Sequence, residues 1–291
     1  MTHSIDNRPN IESSTATCGS DRQAKDVMQC GLISVQPDQP VYDAIGLMAE
    51  RQLSGLPVTE AGKIVGIISE KDILRLLYEK SFLPGTVADY MTKNVVCFTM
   101  EDELSTIGQC FITHDFRRVA IEHDGHLAGL ITRSDLIKHS LPRLESNDTP
   151  MQDTPSSSGP MAEDVMRTGL LTIGIDTPLP QAARTMAYKR VTGLPVVDSY
   201  MNLSGILSEK DILCALYDPT VRSTDVADLM TRDVISFRRQ SSLFDICQCL
   251  IDNAFRRVPI LDQGRLIGLI SRADLVIYIM KNKSTVFSRQ G

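Results

Sequence analysis

One seven-residue phrase occurs four times in this chain. It reads GIISEKD at Gly66–Asp72, GLITRSD at Gly129–Asp135, GILSEKD at Gly205–Asp211 and GLISRAD at Gly268–Asp274. The shared pattern is Gly, two apolar residues, Ser or Thr, two variable residues and Asp. Recurrence at a fixed period constrains a fold more tightly than composition does, because each copy must be the same supersecondary unit.

The residues around each copy also align. Every repeat opens on Asp-x-Met: Asp26–Met28, Asp89–Met91, Asp164–Met166 and Asp228–Met230. A short β-rich stretch such as LISV or NVVCF follows, and then a segment with helical spacing. Its apolar positions are Val41, Ala44, Ile45 and Met48 in the first repeat, and Leu104, Ile107 and Phe111 in the second. They are Leu179, Ala182, Ala183 and Met186 in the third, and Leu243, Ile246, Cys247 and Leu250 in the fourth. Next come GLPVTE, RRVAIEH, GLPVVD or RRVPILD, a turn, and KIVGII, HLAGLI, NLSGIL or RLIGLI. Two such runs about a tight turn read as a hairpin. The Ser or Thr of the template then starts a last helix. The expected unit is β-α-β-β-α in an α/β (α+β) fold.

A unit of about 55 residues covers its own faces poorly, so pairing is expected. The spacing supports pairs. Pro57 to Ala120 is 63 residues and Pro195 to Pro259 is 64, whereas Ala120 to Pro195 is 75. The excess is LPRLESNDTPMQDTPSSSGP, rich in Pro, Ser, Asp and Thr, which reads as a tether. VADYMT and VADLMT differ at one position, as a duplicated pair would. The expected layout is a tail at 1–22, a first module at 23–140 (repeats 23–80 and 85–140) and a linker at 141–160. A second module follows at 161–279 (repeats 161–218 and 223–279), with a tail at 280–291.

A net charge of −6 argues against a protein whose task is gripping nucleic acid, which needs a basic face. No apolar run approaches the roughly 18 residues of a membrane helix, and the polar N-terminus lacks a signal-peptide core. The expectation is a cytoplasmic protein without membrane insertion. Seven cysteines, mostly in apolar periodic segments, fit small apolar residues carrying free thiols. Cys247 and Cys249 lie two apart on an expected helix and point to different sides, so they suit metal poorly. HDGH, at His123–His126, reads as a surface turn.

Two readings of the template stand side by side. Ser or Thr followed three residues later by an acid is a capping box, with Ser69, Thr132, Ser208 and Ser271 as N-caps of the four helices. That accounts for the hydroxyl and the acid with no ligand. The template Gly, however, lies inside a strand, where it marks close approach by a backbone or a ligand. The strand-to-helix corner is also a natural anion site. The hydroxyl can serve a phosphate, and Asp72, Asp135, Asp211 or Asp274 can accept from both hydroxyls of a ribose. The even repeats add Arg117 and Arg118, or Arg256 and Arg257, before the strand core, with Arg133 or Arg272 directly after the cap. These side chains suit phosphate.

The Asp-x-Met openings, the GLPV and RRVPI strands and the four templates resemble cystathionine-beta-synthase (CBS) domains over about residues 23–140 and 161–279. The resemblance implies four repeats packed pairwise into two pseudo-two-fold Bateman modules, with clefts that take AMP, ADP, ATP or S-adenosylmethionine. It assigns ribose to Asp72, Asp135, Asp211 and Asp274. Phosphate would go to Ser69, Thr132, Ser208 and Ser271, with Arg117, Arg118, Arg133, Arg256, Arg257 and Arg272, and adenine to Leu56, Pro57, Leu194 and Pro195. The odd repeats depart from this pattern, carrying Glu70 and Glu209 where the even ones have arginine. The resemblance implies that no cofactor is required and that the regulatory ligand would be an adenine nucleotide, with Mg where that ligand is ATP. Two modules and short tails leave no segment for a catalytic domain, and no nucleophile–base set stands out. The expected protein is a free-standing, non-enzymatic sensor that signals to an unidentified regulated protein, with homodimers or intrachain pairing of its modules. The alternative is a structural dimerisation scaffold without a nucleotide.

Overall fold

A computed structural model describes residues 22–79, 84–114, 116–146, 159–217 and 225–282. The first repeat holds a 3-10 turn (Ala24–Asp26), α1 (Val41–Glu50), β1 (Gly55–Glu60), β2 (Lys63–Ser69) and α2 (Glu70–Glu79). The second holds α3 (Val87–Tyr90), β3 (Cys97–Thr99), α4 (Leu104–Thr113), β4 (Arg118–His123), β5 (His126–Thr132) and α5 (Arg133–Ser146). The third holds α6 (Ala162–Val165), β6 (Ile173–Gly174), α7 (Leu179–Lys189), β7 (Gly193–Val197), β8 (Leu203–Ser208) and α8 (Glu209–Tyr217). The fourth holds α9 (Val226–Leu229), β9 (Phe237–Arg238), α10 (Leu243–Asp252), β10 (Arg257–Asp262), β11 (Arg265–Ser271) and α11 (Arg272–Lys281).

Three repeats form three-stranded sheets in which the short first strand pairs parallel with the second, and the second antiparallel with the third. In the first repeat the opening strand shrinks to one parallel bridge, Val35 to Val58. Each hairpin carries a register shift at the same place, beside the template glycine: between Val58 and Thr59, Ile121 and Glu122, Val196 and Val197, and Ile260 and Leu261. The periodic apolar positions of α1, α4 and α10 are buried, as are Leu179, Ala182 and Met186 of α7.

The Asp-x-Met segments are exchanged within each module. Ala24, from the opening of the first repeat, is buried in the core of the second, and Val87, from the second, in the core of the first. Ala162 and Val226 make the same exchange in the second module. The exchange explains the template glycine. A Cβ at Gly129 would meet Met28, and one at Gly66 would meet Met91; Gly268 faces Met166 and Gly205 faces Met230. At Gly205 the added carbon would stand 2.8 Å from both Met230 Sδ and the carbonyl of Thr231. That carbonyl accepts from the Ile206 N–H at 2.9 Å, so it has little freedom to retreat. Gly205→Val is therefore expected to cost about 1–3 kcal/mol by overpacking. Urea unfolding measures it, and an unchanged midpoint would remove this account of the glycine.

The cores run across the modules. Helices α4 and α5 pack on α10 and α11, joining the second and fourth repeats in one apolar cluster. Helices α1 and α2 pack with α7 and α8, joining the first and third in another. Within a module the hairpins abut: Leu127 N–H donates to the Gly62 carbonyl at 3.0 Å, and Leu266 N–H to Met201 at 2.9 Å. The two modules of one chain thus cover each other's helices.

Two expected boundaries move. Helix α5 runs on to Ser146, so 141–146 is helix rather than tether, held by Leu141, which is buried against the joint core. Met280 is likewise buried core rather than tail. Residues 147–158 of the tether, 1–21 of the first tail and 283–291 of the last lie outside the described residues.

Burial raises the thiol pKa of Cys97 to about 12, helped by Glu122, that of Cys110 to about 11 and that of Cys247 to about 12; Cys30 is exposed. Thiolate is the reactive form. Iodoacetamide at pH 8 should therefore modify Cys30 and spare Cys97, Cys110 and Cys247 until denaturant is added. Peptide mass mapping reads each site, and native labelling of Cys247 at the rate of Cys30 would contradict the packing. Among the described residues no group of three or more His, Cys, Asp or Glu converges to hold a metal, and no helix is long and apolar enough to cross a membrane.

Candidate functional site

The four strand-to-helix corners are built alike. Asp72 Oδ2 accepts from the Ser69 N–H at 3.0 Å and the Ser69 hydroxyl at 2.5 Å. Asp135 does the same for Thr132 at 2.7 Å and 2.7 Å, Asp211 for Ser208 at 2.7 Å and 2.6 Å, and Asp274 for Ser271 at 2.9 Å and 2.5 Å. The acid's half of a capping box is therefore present four times, and at two corners the hydroxyl returns a bond, accepting from the Asp211 N–H at 3.3 Å and the Asp274 N–H at 3.4 Å. The second oxygen is also engaged at two corners. Gln29 Nε2 donates to Asp135 Oδ1 at 2.7 Å, and Arg167 Nε donates to Asp274 Oδ1. A carboxylate offers about four lone-pair sites, so a cap does not exhaust its capacity to accept.

Two clefts stand against these corners. The first, of about 730 Å³, is bounded by Ser69 and Asp72 of the first repeat and by Thr92, Val95 and Val96 of the second. Phe116, Arg117 and Arg118 close it on one side. Met186, Arg190 and Glu209 close it from the other module. The second cleft, of about 440 Å³, holds Ser271 and Asp274 with Arg256, Arg257 and Arg272. Its far walls are Gly169–Leu171 and Leu194–Pro195 of the third repeat, and Thr132 and Arg133 of the first module. Both volumes fall in the usual range of small-molecule sites, roughly 300–1,000 Å³.

Not every expected residue reaches these clefts. Leu56 and Leu194 are fully buried in the core joining the first and third repeats. Leu194 and Pro195 still line the second cleft, but Leu56 and Pro57 line neither. Asp135, Ser208 and Asp211 also line neither. The apolar wall of the first cleft comes instead from Val95, Val96 and Phe116. These follow the exchanged Asp-x-Met segment or precede the double arginine, positions that helical or strand periodicity does not single out.

The double arginines divide their work, as alternation along a strand requires. Arg118 donates to the Gly55 carbonyl and the Ser54 hydroxyl, and Arg257 to Gly193 and Thr192. Each thereby ties its repeat to its sister. Arg117 and Arg256 point the other way, across the modules. Arg117 Nη1 reaches Glu209 at 2.9 Å; Arg256 pairs with Glu70 and lies 3.4 Å from Glu209. Both glutamates are only 4% exposed. The Glu70 and Glu209 that set the odd repeats apart are thus the counter-charges of the even-repeat arginines. Arg133 and Arg272 donate back to the Phe111 and Leu250 carbonyls, which helps hold them beside the centre.

The centre remains electropositive. Burial lowers the pKa of Arg118 to about 10, with Arg117 and Arg256 adding repulsion. Burial and Arg256 bring Arg257 and Arg272 to about 10 as well. A shift in that direction means the charged form is under-compensated by its surroundings.

A family model described as the CBS domain matches residues 24–79, 87–142, 162–218 and 226–281. The uncharacterized protein MJ1225 of Methanocaldococcus jannaschii is 25% identical over 190 residues, covering 65% of this chain and 68% of its own. Its crystal structure aligns with 89% of this chain and all of its own, at a TM-score of 0.79 and 22% identity. The crystal structure of a conserved protein from Pyrococcus horikoshii aligns over the same 89% at a TM-score of 0.62 and 24% identity. At these identities the likeness is one of fold. YhcV of Bacillus subtilis, a CBS domain-containing protein, is 31% identical over 123 residues, 42% of this chain and 87% of YhcV.

Proposed function

The chain belongs to the CBS-domain family, and on that premise we propose that it is a regulatory protein that binds an adenosine ligand between its repeats and signals to a partner protein. One observation carries the reading. The carboxylate of Asp274 and the cap hydroxyl of Ser271 line one cleft of ligand size together with Arg256, Arg257 and Arg272. A ribose would accept a place on the aspartate, and its phosphate would meet the guanidiniums.

Signalling follows from the same arginines. Arg117 and Arg256 hold the modules together through Glu209 and Glu70. A phosphate that engages them competes with those glutamates and changes the contact between modules. The ligand shifts that contact only as far as its affinities for the two arrangements differ. The helical faces that would have served a dimer are used within the chain, so a homodimer would form through other surfaces.

A scaffold without ligand has one observation in its favour: all four aspartates already serve caps. Calorimetry with AMP, ADP, ATP and S-adenosylmethionine decides between the two. The regulatory reading expects heat and a raised melting temperature with at least one of them. Absence of both with all four would leave the scaffold.

A further inference from the structure

The two clefts are unequally charged. They share four cations, Lys71, Arg117, Arg118 and Arg190, which form a common wall between the modules. The first cleft adds two acids to that wall, Asp72 and Glu209, and no further arginine or lysine. The second adds Arg133, Arg167, Arg256, Arg257 and Arg272 and a single acid, Asp274. That acid is already engaged by Arg167. Buried Glu209, a wall of the first cleft alone, sits 2.9 Å from Arg117 of the shared wall and 3.4 Å from Arg256 of the second cleft. On the side of the second, Arg256 works against Arg257 and Arg272, and the buried Nε of Arg272 has no hydrogen-bond partner among the described residues.

Size and charge rank the clefts in opposite orders. The first is the larger, so volume alone would place the longer ligand there. Charge prevails, because charge-assisted hydrogen bonds are about twice as strong as neutral ones; Arg256 answers Glu70 and Glu209, and Arg167 answers Asp274, but Arg257 and Arg272 donate only to neutral oxygens among the described residues.

We propose that the cleft at Asp274 is a polyphosphate site for nucleoside di- and triphosphates, and that the cleft at Asp72 takes an adenosine ligand bearing at most one phosphate, with Glu209 excluding longer chains. The assignment rests on the adenosine reading for the nucleoside end alone; the difference in charge stands apart from it.

The test is calorimetry on the full chain at fixed salt with AMP, ATP, GTP and inorganic tripolyphosphate. Asp72→Ala and Asp274→Ala identify which cleft each binding event belongs to. At the Asp274-dependent site ATP should bind about tenfold or more tighter than AMP, and tripolyphosphate should displace it. Arg272→Gln should weaken ATP and tripolyphosphate there about tenfold and leave AMP at the other site unchanged. Glu209→Gln should raise ATP affinity at the Asp72-dependent site; should that variant fold poorly, Arg272→Gln still decides. Equal affinity for AMP and ATP at the Asp274-dependent site, or tripolyphosphate that fails to compete, overturns the assignment while leaving an adenosine site in place. GTP binding as tightly as ATP there supports the polyphosphate assignment and removes the adenosine reading instead.

Discussion

Replacing Arg256 with alanine is expected to lower the unfolding free energy by about 3 kcal/mol. An exposed ion pair would contribute only about 0–1 kcal/mol. This one differs because Arg256 reaches two carboxylates, Glu70 and Glu209, that are each 4% exposed. Stripping the guanidinium leaves Glu70 buried without the arginine that neutralises it. Arg117 still offsets Glu209, and the Arg256 side chain is 26% exposed, so the effect falls at the lower end of what buried pairs show. Because the Arg256–Glu70 pair binds the second module to the first, much of the loss should fall on contact between modules. Glu70→Gln in the same chain should recover most of it, since an amide needs no counter-ion. Urea unfolding of the single and double variants measures both. A single variant within about 0.5 kcal/mol of the parent would show that the central pairs hold nothing together.

The second large effect is on binding. Asp72→Ala and Asp274→Ala should each weaken the adenosine ligand of their own cleft about 10–100-fold, the loss of one hydrogen bond to a charged acceptor. Each should also cost about 1 kcal/mol of stability, the usual worth of a cap. Asp135 and Asp211 provide the comparison. They accept from the N-cap N–H and hydroxyl in the same way but line neither cleft. Alanine there should cost the cap and leave affinity as it was. Calorimetry on the four variants separates the roles. Equal affinity in all four would reduce the template to a helix start.

The local parts of this fold were legible because local rules make them. Val41, Ala44, Ile45 and Met48 fall on one helical face and are all buried in α1. A Ser three residues before an Asp gives the cap at Ser271, where the Asp274 N–H also returns a bond to the hydroxyl at 3.4 Å. Alternation along a strand correctly sent Arg117 and Arg118 to opposite sides. What the sequence withheld is long-range. Gly129 signalled a close approach, yet nothing in the chain says that Met28, about a hundred residues earlier, makes it. Nor does any periodicity show that α5 packs on α10, or that Arg117 answers Glu209 in another module. The apolar wall was missed for the same reason. Val95 and Val96 look like an ordinary strand until the exchanged opening segment carries them against the Asp72 corner.

The proposed function places an adenosine ligand between repeats, with its sugar on a template aspartate and its phosphate among the arginines. A crystal structure of the full chain soaked with AMP and ATP tests it most directly. The expected density is a nucleotide whose ribose hydroxyls contact Asp72 or Asp274, with phosphate oxygens within hydrogen-bonding distance of Arg117, Arg256 or Arg272. Clefts that hold only water at saturating nucleotide, with all four aspartates on their caps alone, would contradict it.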